Sequence, residues 1–279
     1  MPLHIPLKLP EKLLVDGEML AVGTFRCPAS DPLFHDSGPC NSNAIVFPRR
    51  VIRITHSNGR SFVADPTTIP LYNRGQRYER SAISSADHSD WIALSDTLLH
   101  EMTEWSTARR RGDEPFEQPC LTAPPALYVR QRLLFESLLH DPEVDSDAAE
   151  QAAVLIVTEA LAPVRSWRSE TTRGNGIVAA AKELLARHLG TNLPLREVAA
   201  AVGASPFRLC RLFKAATGTT LSEFRTDLRL RVALQLLARP AADILEIATQ
   251  LGFSSHSHFS ARFIRRFGLT PSAFRAQVR

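Results

Sequence analysis

The sequence predicts an α+β protein with a β-rich N-terminal part, a helical hairpin and an all-α C-terminal part. Three observations predict it. Short alternating segments separated by turn residues fill roughly the first 120 residues. Apolar residues at helical spacing take over at Pro124. A segment of about thirty residues then recurs about fifty residues later, near the C-terminus.

The clearest β element is "VIRITHSNGRSFVAD", Val51 to Asp65. Two alternating runs flank Asn58-Gly59, a dipeptide that supplies the positive φ angles of a tight hairpin turn. "LYNRGQRYERSAIS" repeats that pattern more loosely around Asn73-Arg74-Gly75, and "AIVFPRR" and "SDWIAL" are further short strands. So many short strands in so little chain predict a barrel or a sandwich. Tyr72, Tyr78 and Trp91 are expected in its core. "RRRGDEPFEQP" is a charged, proline-bearing loop.

"PPALYVRQRLLFESLLHDP" places Leu127, Leu134 and Leu138 at helical spacing after a proline pair, and "DSDAAEQAAVLIVTEAL" offers Asp145 or Ser146 as an N-cap. The short link between them predicts an antiparallel hairpin. "RSWRSETTRGNG" is polar and glycine-bearing, which marks a linker. The expected layout is residues 1–165 as one domain, 166–175 as the linker and 176–279 as a second domain.

From residue 176 the sequence is helical and doubled. Glu197, Val198, Ala199 and Gly203 match Glu246, Ile247, Ala248 and Gly252 at an offset of 49. Leu209, Phe213, Gly218, Ser222, Phe224 and Arg225 match Phe259, Phe263, Gly268, Ser272, Phe274 and Arg275 at an offset of 50. Each unit reads as a helix-turn-helix: a small alanine where helices cross, a glycine in the turn, and a serine cap on the second helix. Ser205 precedes Pro206 in the first unit, and Ser254 or Ser255 caps the second. Leu209 with Phe213, and Phe259 with Phe263, lie four residues apart and anchor the second helices. That leaves Phe207, Arg208 and Arg211, then His256, Ser257 and Ser260, for a major groove. "LSEFRTDLRLRVALQLLARP" reads as an amphipathic connector with Leu228, Val232 and Leu236 on one face, ended by Pro240.

Charge agrees with that direction. The net charge of +4 conceals 16 Lys and Arg against 7 Asp and Glu between residues 170 and 279. The remainder carries 17 against 22. A basic C-terminal third calls for a polyanion partner. The chain shows no basic-then-apolar leader and no apolar run near 18 residues, so a cytoplasmic protein without a membrane partner is expected. Cys27, Cys40, Cys120 and Cys210 contain no C-x-x-C pair, which fits reduced thiols rather than a disulfide framework or a standard zinc cluster. Any sensing role for the four thiols is left open.

The doubled unit, the "GFSSHSHFSARFIRRFG" block and the closing "LTPSAFR" resemble the AraC/XylS family of bacterial transcription regulators, over about residues 176 to 279. "FRCPASDPLF", "IVFPRR" and "YNRGQRY" are similar to that family's cupin-like sensor domain with its dimerisation hairpin. The resemblance implies a cupin-like β-barrel before the double helix-turn-helix domain. It implies sequence-specific binding of double-stranded DNA, a small-molecule effector, a homodimer, and RNA polymerase as a candidate partner. Many members carry arginine where this chain has Ala261 and a small residue where it has Arg262, which turns Arg262 towards a phosphate. Cupin enzymes show H-x-H, a Glu and a later His; here His56 and His88 stand alone. No catalytic residue, metal or cofactor is therefore expected. His256 and His258 lack the further ligands a zinc site needs. His35, Cys27 and Cys40 invite a metal or thiol-sensor role that the lone histidines do not support, and Arg49, Arg53, Arg74 and Arg77 are candidates to line an anion pocket, although alternation points several of them outward. Two alternatives remain: a cupin-type metalloenzyme fused to a DNA-binding module, and a regulator with no small ligand.

Overall fold

The computed structural model describes residues 11–35, 38–57, 59–83, 85–104, 115–141, 143–162 and 172–278. Most of the predicted linker, Asn58 and the arginine run of the charged loop lie outside the described residues. The chain divides into two compact units, Met1–Val164 and Arg165–Arg279.

The first unit runs β1 (Glu11–Asp16), β2 (Leu20–Pro28), a single 3-10 turn (Pro32–His35), β3 (Asn43–Pro48), β4 (Ile52–His56), β5 (Ser61–Ala64), β6 (Thr68–Tyr72), β7 (Tyr78–Ala82) and β8 (Ala86–Leu94). Then come α1 (Asp96–Glu104), β9 (Cys120–Thr122), α2 (Pro125–His140) and α3 (Ser146–Leu161). The α+β class is as predicted. Among the described residues the strands do not close into a barrel: they form a six-stranded sheet in the order β1-β2-β8-β3-β6-β9 and a three-stranded sheet in the order β5-β4-β7. The sheets pack through Cys27, Phe34, Ile52, Ile54, Phe62, Ala64 and Cys120. This two-sheet packing corrects the cupin-like β-barrel that the resemblance implies; it is the sandwich that the short strands equally allow, because strand alternation fixes faces but not whether a sheet's edges meet.

β4 and β5 form the predicted hairpin, with Gly59 at φ 78° in its turn. The second expected hairpin is different. β6 pairs with β3 and β9, whereas β7 pairs with β4, so the Asn73-Arg74-Gly75 turn carries the chain from one sheet to the other. Local turn chemistry fixes the bend at Gly75 (φ 79°) but not which strand edge the chain then meets.

The helical hairpin packs α3 on β1 and β2. Asp145 caps α3, accepting from Asp147 N–H at 3.0 Å. Glu150 ties α3 to the β1–β2 turn, accepting from Met19 N–H at 2.8 Å. Gly17 leaves the space that the Glu150 carboxylate fills, since a Cβ there would overlap it. α2 departs from a simple apolar stripe. Leu134 and Leu138 are only half-buried, while its buried face carries Gln131, Arg132 and Glu136 beside Leu127, Tyr128 and Phe135. Arg132, fully buried, pairs with Asp90 of β8 and with Glu136, and Gln131 Nε2 donates to Asp90 Oδ2 at 2.8 Å.

The second unit is helical throughout: α4 (Thr172–Arg187), α5 (Leu195–Ala201), α6 (Pro206–Thr217), α7 (Leu221–Leu237), α8 (Ile244–Gln250), α9 (His256–Phe267) and α10 (Pro271–Gln277). α7 is not the amphipathic connector expected. It touches α4, α6, α8, α9 and α10, and is buried almost all round, with Asp227, Arg229 and Arg231 buried among its leucines. Val232 is half-buried. A helix surrounded by neighbours must bury every face, and its polar residues find partners inside.

Removing one partner of a buried ion pair leaves an uncompensated charge. Arg132→Ala is expected to destabilise the first unit by about 3–5 kcal/mol, seen as a lower urea midpoint for its unfolding transition. A midpoint unchanged from the parent would refute the role given to this arginine.

Candidate nucleic-acid interface and an internal pocket

The two helix-turn-helix units are built the same way. In the first, the N–H of Ala204 donates to Ala199 O (2.9 Å) and Gly203 sits at φ 66°. In the second, Phe253 N–H donates to Ala248 O (3.0 Å) and Gly252 sits at φ 74°. Ser205 caps α6 by accepting from Arg208 N–H, and Ser255, not Ser254, caps α9 by accepting from His258 N–H. Gly218 and Gly268 end these helices in the left-handed conformation. Thr220 and Thr270 then start α7 and α10, the first through a full capping box with Glu223.

The anchors behave as predicted: Leu209, Phe213, Phe259 and Phe263 are fully buried. Phe213 meets Phe224 at 5.2 Å between ring centroids, and Phe263 meets Phe274, its repeat equivalent, at 6.4 Å. Each unit is also stapled by an arginine. Arg225 Nη1 donates to Leu193 O (3.0 Å), and Arg275 Nη2 donates to Ala242 O (2.5 Å). Both carbonyls precede the first helix of their own unit.

Of the candidate DNA-contacting residues, Phe207, Arg208 and Arg211 are exposed on α6, with Phe207 78% exposed. At 100° per residue, Phe207 and Arg211 lie opposite the buried anchors, together with exposed Lys214, which sequence reasoning passed over. On α9, His256, Ser257 and Arg262 are exposed, whereas Ser260 is half-buried on the flank. The face opposite Phe259 and Phe263 holds Ser257, Ala261, Ile264 and Arg265. His258 is held beside the turn: its Nδ1 lies 3.0 Å from Ser254 Oγ, and its ring packs edge-on against Phe253. Arg262 Nε reaches His258 Nε2 at 3.4 Å. Arg266 points back into the domain and grips Asp227 of α7 through Nε (2.6 Å) and Nη2 (2.5 Å). This ion pair makes it part of the scaffold. Cys210 is exposed on α6.

In the first unit, a cavity of about 130 Å³ lies between the sheets. Phe25, Tyr72, Tyr78 and Trp91 form its aromatic wall, and Arg80, Asp87 and Ser89 supply polarity. Arg80 and Asp87 are both buried and paired at 3.2 Å, and Ser89 Oγ donates to Asp87 Oδ1 at 2.8 Å. The Arg80 guanidinium also stacks on Phe25, 4.5 Å from the ring centroid. Burial raises the Asp87 pKa, opposed by Arg80. Trp91 Nε1 is buried without a hydrogen-bond partner among the described residues. Sequence reasoning missed Arg80 and Asp87; their signal is the two-residue spacing Tyr78/Arg80 and Asp87/Ser89/Trp91, which puts each set on one strand face.

The four arginines proposed for an anion pocket do not come together. Arg49 is buried on the far side of β8, 3.1 Å from Glu136 and 3.2 Å from His88 Nε2. Arg53 reaches Ser61, Arg74 pairs with Asp96 at 3.3 Å, and Arg77 is exposed. Burial, then the charge of Arg49, push the His88 pKa down to about 3, so this imidazole is neutral. His56 is buried beside Gln76, at 2.9 Å. Cys27 and Cys120 sit in the inter-sheet core, Cys40 is half-buried at the cavity, and His35 is exposed. Among the described residues, no group of three His, Cys, Asp or Glu is placed to hold a metal ion. No helix among them is long and apolar enough to cross a membrane.

Residues 198–277 match the model of a helix-turn-helix domain family, the AraC type. The C-terminal domain belongs to the AraC-type helix-turn-helix family. An RCS-specific transcriptional activator, RclR, of Escherichia coli (strain K12) is 39% identical over 25% of this chain and 24% of its own length. The arabinose operon regulatory protein of the same organism is 25% identical over 80% of this chain and 76% of its own length. A solved AraC-type regulator structure from Chromobacterium violaceum is 34% identical, covering 39% of this chain and 96% of that one, with a TM-score of 0.37. The chain spans from a quarter to about two fifths of the length of the first curated relatives it matches.

Arg266 and Arg265 are adjacent arginines of the AraC-type domain with different surroundings. Arg266→Ala is expected to destabilise the domain by about 1–3 kcal/mol, through loss of the bidentate hold on Asp227, with an unchanged slope of log K against log[salt] on DNA. Denaturant unfolding and a salt titration check both halves. A slope reduced by ~0.9 would instead assign Arg266 to a phosphate.

Proposed function

We propose that the chain is a ligand-responsive transcription regulator. Its C-terminal domain reads double-stranded DNA through α6 and α9, and its N-terminal domain receives a small-molecule effector in the inter-sheet cavity. The observation that carries the first part is the doubled recognition helix. In both units the anchors face inward, and the N-terminal turn is serine-capped and exposed. On α6 a basic face with an aromatic lies opposite the anchors. Phe207, Arg208 and Arg211 on α6, and His256, Ser257, Ser260 and Arg262 on α9, are the proposed DNA contacts. Ser260 acts from the flank of α9. The basic balance of residues 170–279 supplies the phosphate attraction.

The cavity supports the effector over a domain that only dimerises. It holds a buried ion pair and a buried indole N–H with no partner among the described residues, which an incoming acceptor would satisfy. β8 offers the route onward. Its residues 87, 89 and 91 face the cavity, while His88 and Asp90 face Arg49 and α2. A ligand that shifts β8 would thereby load the α2–α3 hairpin. The proposed domain layout remains 1–165 for sensing and dimerisation, 166–175 for the linker and 176–279 for DNA. RNA polymerase is the partner through which such a regulator would act on transcription.

Arg211 is assigned to a base. Binding-site selection with the full chain is expected to enrich one sequence, and Arg211→Ala to relax one position of it by about 1–3 kcal/mol. Selection that enriches nothing overturns the DNA-reading function; an unchanged motif in the variant removes only the role of Arg211.

The hairpin is assigned to a two-fold interface between copies. Leu155 is 70% exposed on α3, and Leu134 and Leu138 are half-covered on α2. Sedimentation at micromolar concentration is expected to show a dimer, and Leu155→Glu to shift it towards monomer. A monomeric parent, also on DNA, removes the interface.

A further inference from the structure

The two helix-turn-helix units are near-copies, yet their turn glycines are not equivalent. A Cβ on Gly203 would meet nothing within 4 Å. A Cβ on Gly252 would overlap Gly190 O, and one on Gly190 would come within 2.5 Å of Gln250 O. The turn of the second unit therefore lies backbone to backbone against the segment that leads from α4 into the first unit.

One side chain seals this junction. Arg229, buried in the middle of α7, donates from Nε to Leu189 O (2.6 Å) and from Nη2 to Thr191 O (3.1 Å). Its Nη1 reaches Asn192 Oδ1 (3.0 Å) and Gly252 O (3.2 Å). The guanidinium lies 6.0 Å from the Phe253 ring centroid. Arg225 and Arg275 staple within their units; Arg229 joins one unit to the other. Five donors in a rigid fork suit this arrangement, and a lysine cannot reproduce it.

We propose that Arg229 is a positioning residue that fixes the separation and angle of α6 and α9, and so sets the spacing of the two DNA half-sites the domain accepts. This rests on the DNA-binding function proposed above. Inserting one base pair moves the second half-site by about 3.4 Å and rotates it by about 35°. A junction locked by backbone packing cannot follow.

The test uses the full chain and the DNA obtained by selection, with zero, one or two base pairs inserted or removed between the parts read by α6 and α9. The parent is expected to lose about tenfold or more in affinity for each altered spacing, because the second unit no longer engages. Arg229→Met is expected to bind the spacing variants within about threefold of one another. Its salt slope should equal the parent's, since an arginine that met a phosphate would take ~0.9 from the slope on removal. Gly190→Ala opens the same junction without removing a charge, and should loosen spacing in the same way. Retention of helical circular dichroism identifies folded variants. A parent indifferent to spacing overturns the proposal whatever the variants do. So does a folded Arg229→Met or Gly190→Ala protein with the parent's spacing preference, or a reduced salt slope in Arg229→Met. A parent that binds no DNA selectively fails the proposed function instead.

Discussion

A buried guanidinium organises each domain. Arginine retains its charge inside a protein, so burying it demands acceptors on every side and leaves few arrangements that supply them. In the first unit, Arg132 takes Asp90 from the sheet and Glu136 from its own helix, and Glu136 also receives Arg49. That set fixes where α2 crosses β8. In the second unit, Arg229 takes three backbone carbonyls and one side-chain amide from segments far apart in sequence. Burial and neighbouring Arg225 lower its pKa to about 10, still leaving it charged at neutral pH. Leucine and phenylalanine pack both cores, but apolar packing alone tolerates sliding; these charge networks do not.

β8 shows how the same constraint reaches from the ionic cluster to the cavity. It is one of the two central strands of the larger sheet, hydrogen-bonded to β2 and β3. Its alternation divides two chemistries. Asp87, Ser89 and Trp91 line the cavity, while His88 and Asp90 serve the ionic cluster under α2. A displacement of about one ångström in such a strand is felt on both faces, because neither a close-packed aromatic wall nor a buried ion pair stretches gradually.

The repeat in the second unit shows how duplication becomes asymmetric. Caps, anchors and staples recur with the offset visible in the sequence: Ser205 and Ser255, Phe213 and Phe263, Arg225 and Arg275. The use made of each copy differs. Gly203 serves only its own turn, whereas Gly252 also admits the neighbouring backbone. α7, which joins the units in sequence, is at the same time the core on which both fold.

By itself the sequence determined the elements and their local chemistry. The β4–β5 hairpin with its turn at Gly59, the Ser205 cap, the turn glycines and the buried anchors all follow from φ preferences, capping and the 3.6-residue period, which act within one turn of chain; the AraC-type resemblance rests on the doubled motif itself. Tertiary structure decided whatever depends on partners distant in sequence. It decided that the strands form two sheets instead of a closed barrel, and that the Gly75 turn crosses between them. It buried α7 on all sides. It drew Arg49 into a pair with Glu136, placed Arg80 with Asp87 in the cavity wall, and paired Arg266 with Asp227 of α7. A charged residue looks the same in sequence whether it meets water, a phosphate or a buried carboxylate. Which of these it meets is set by where the rest of the chain comes to lie.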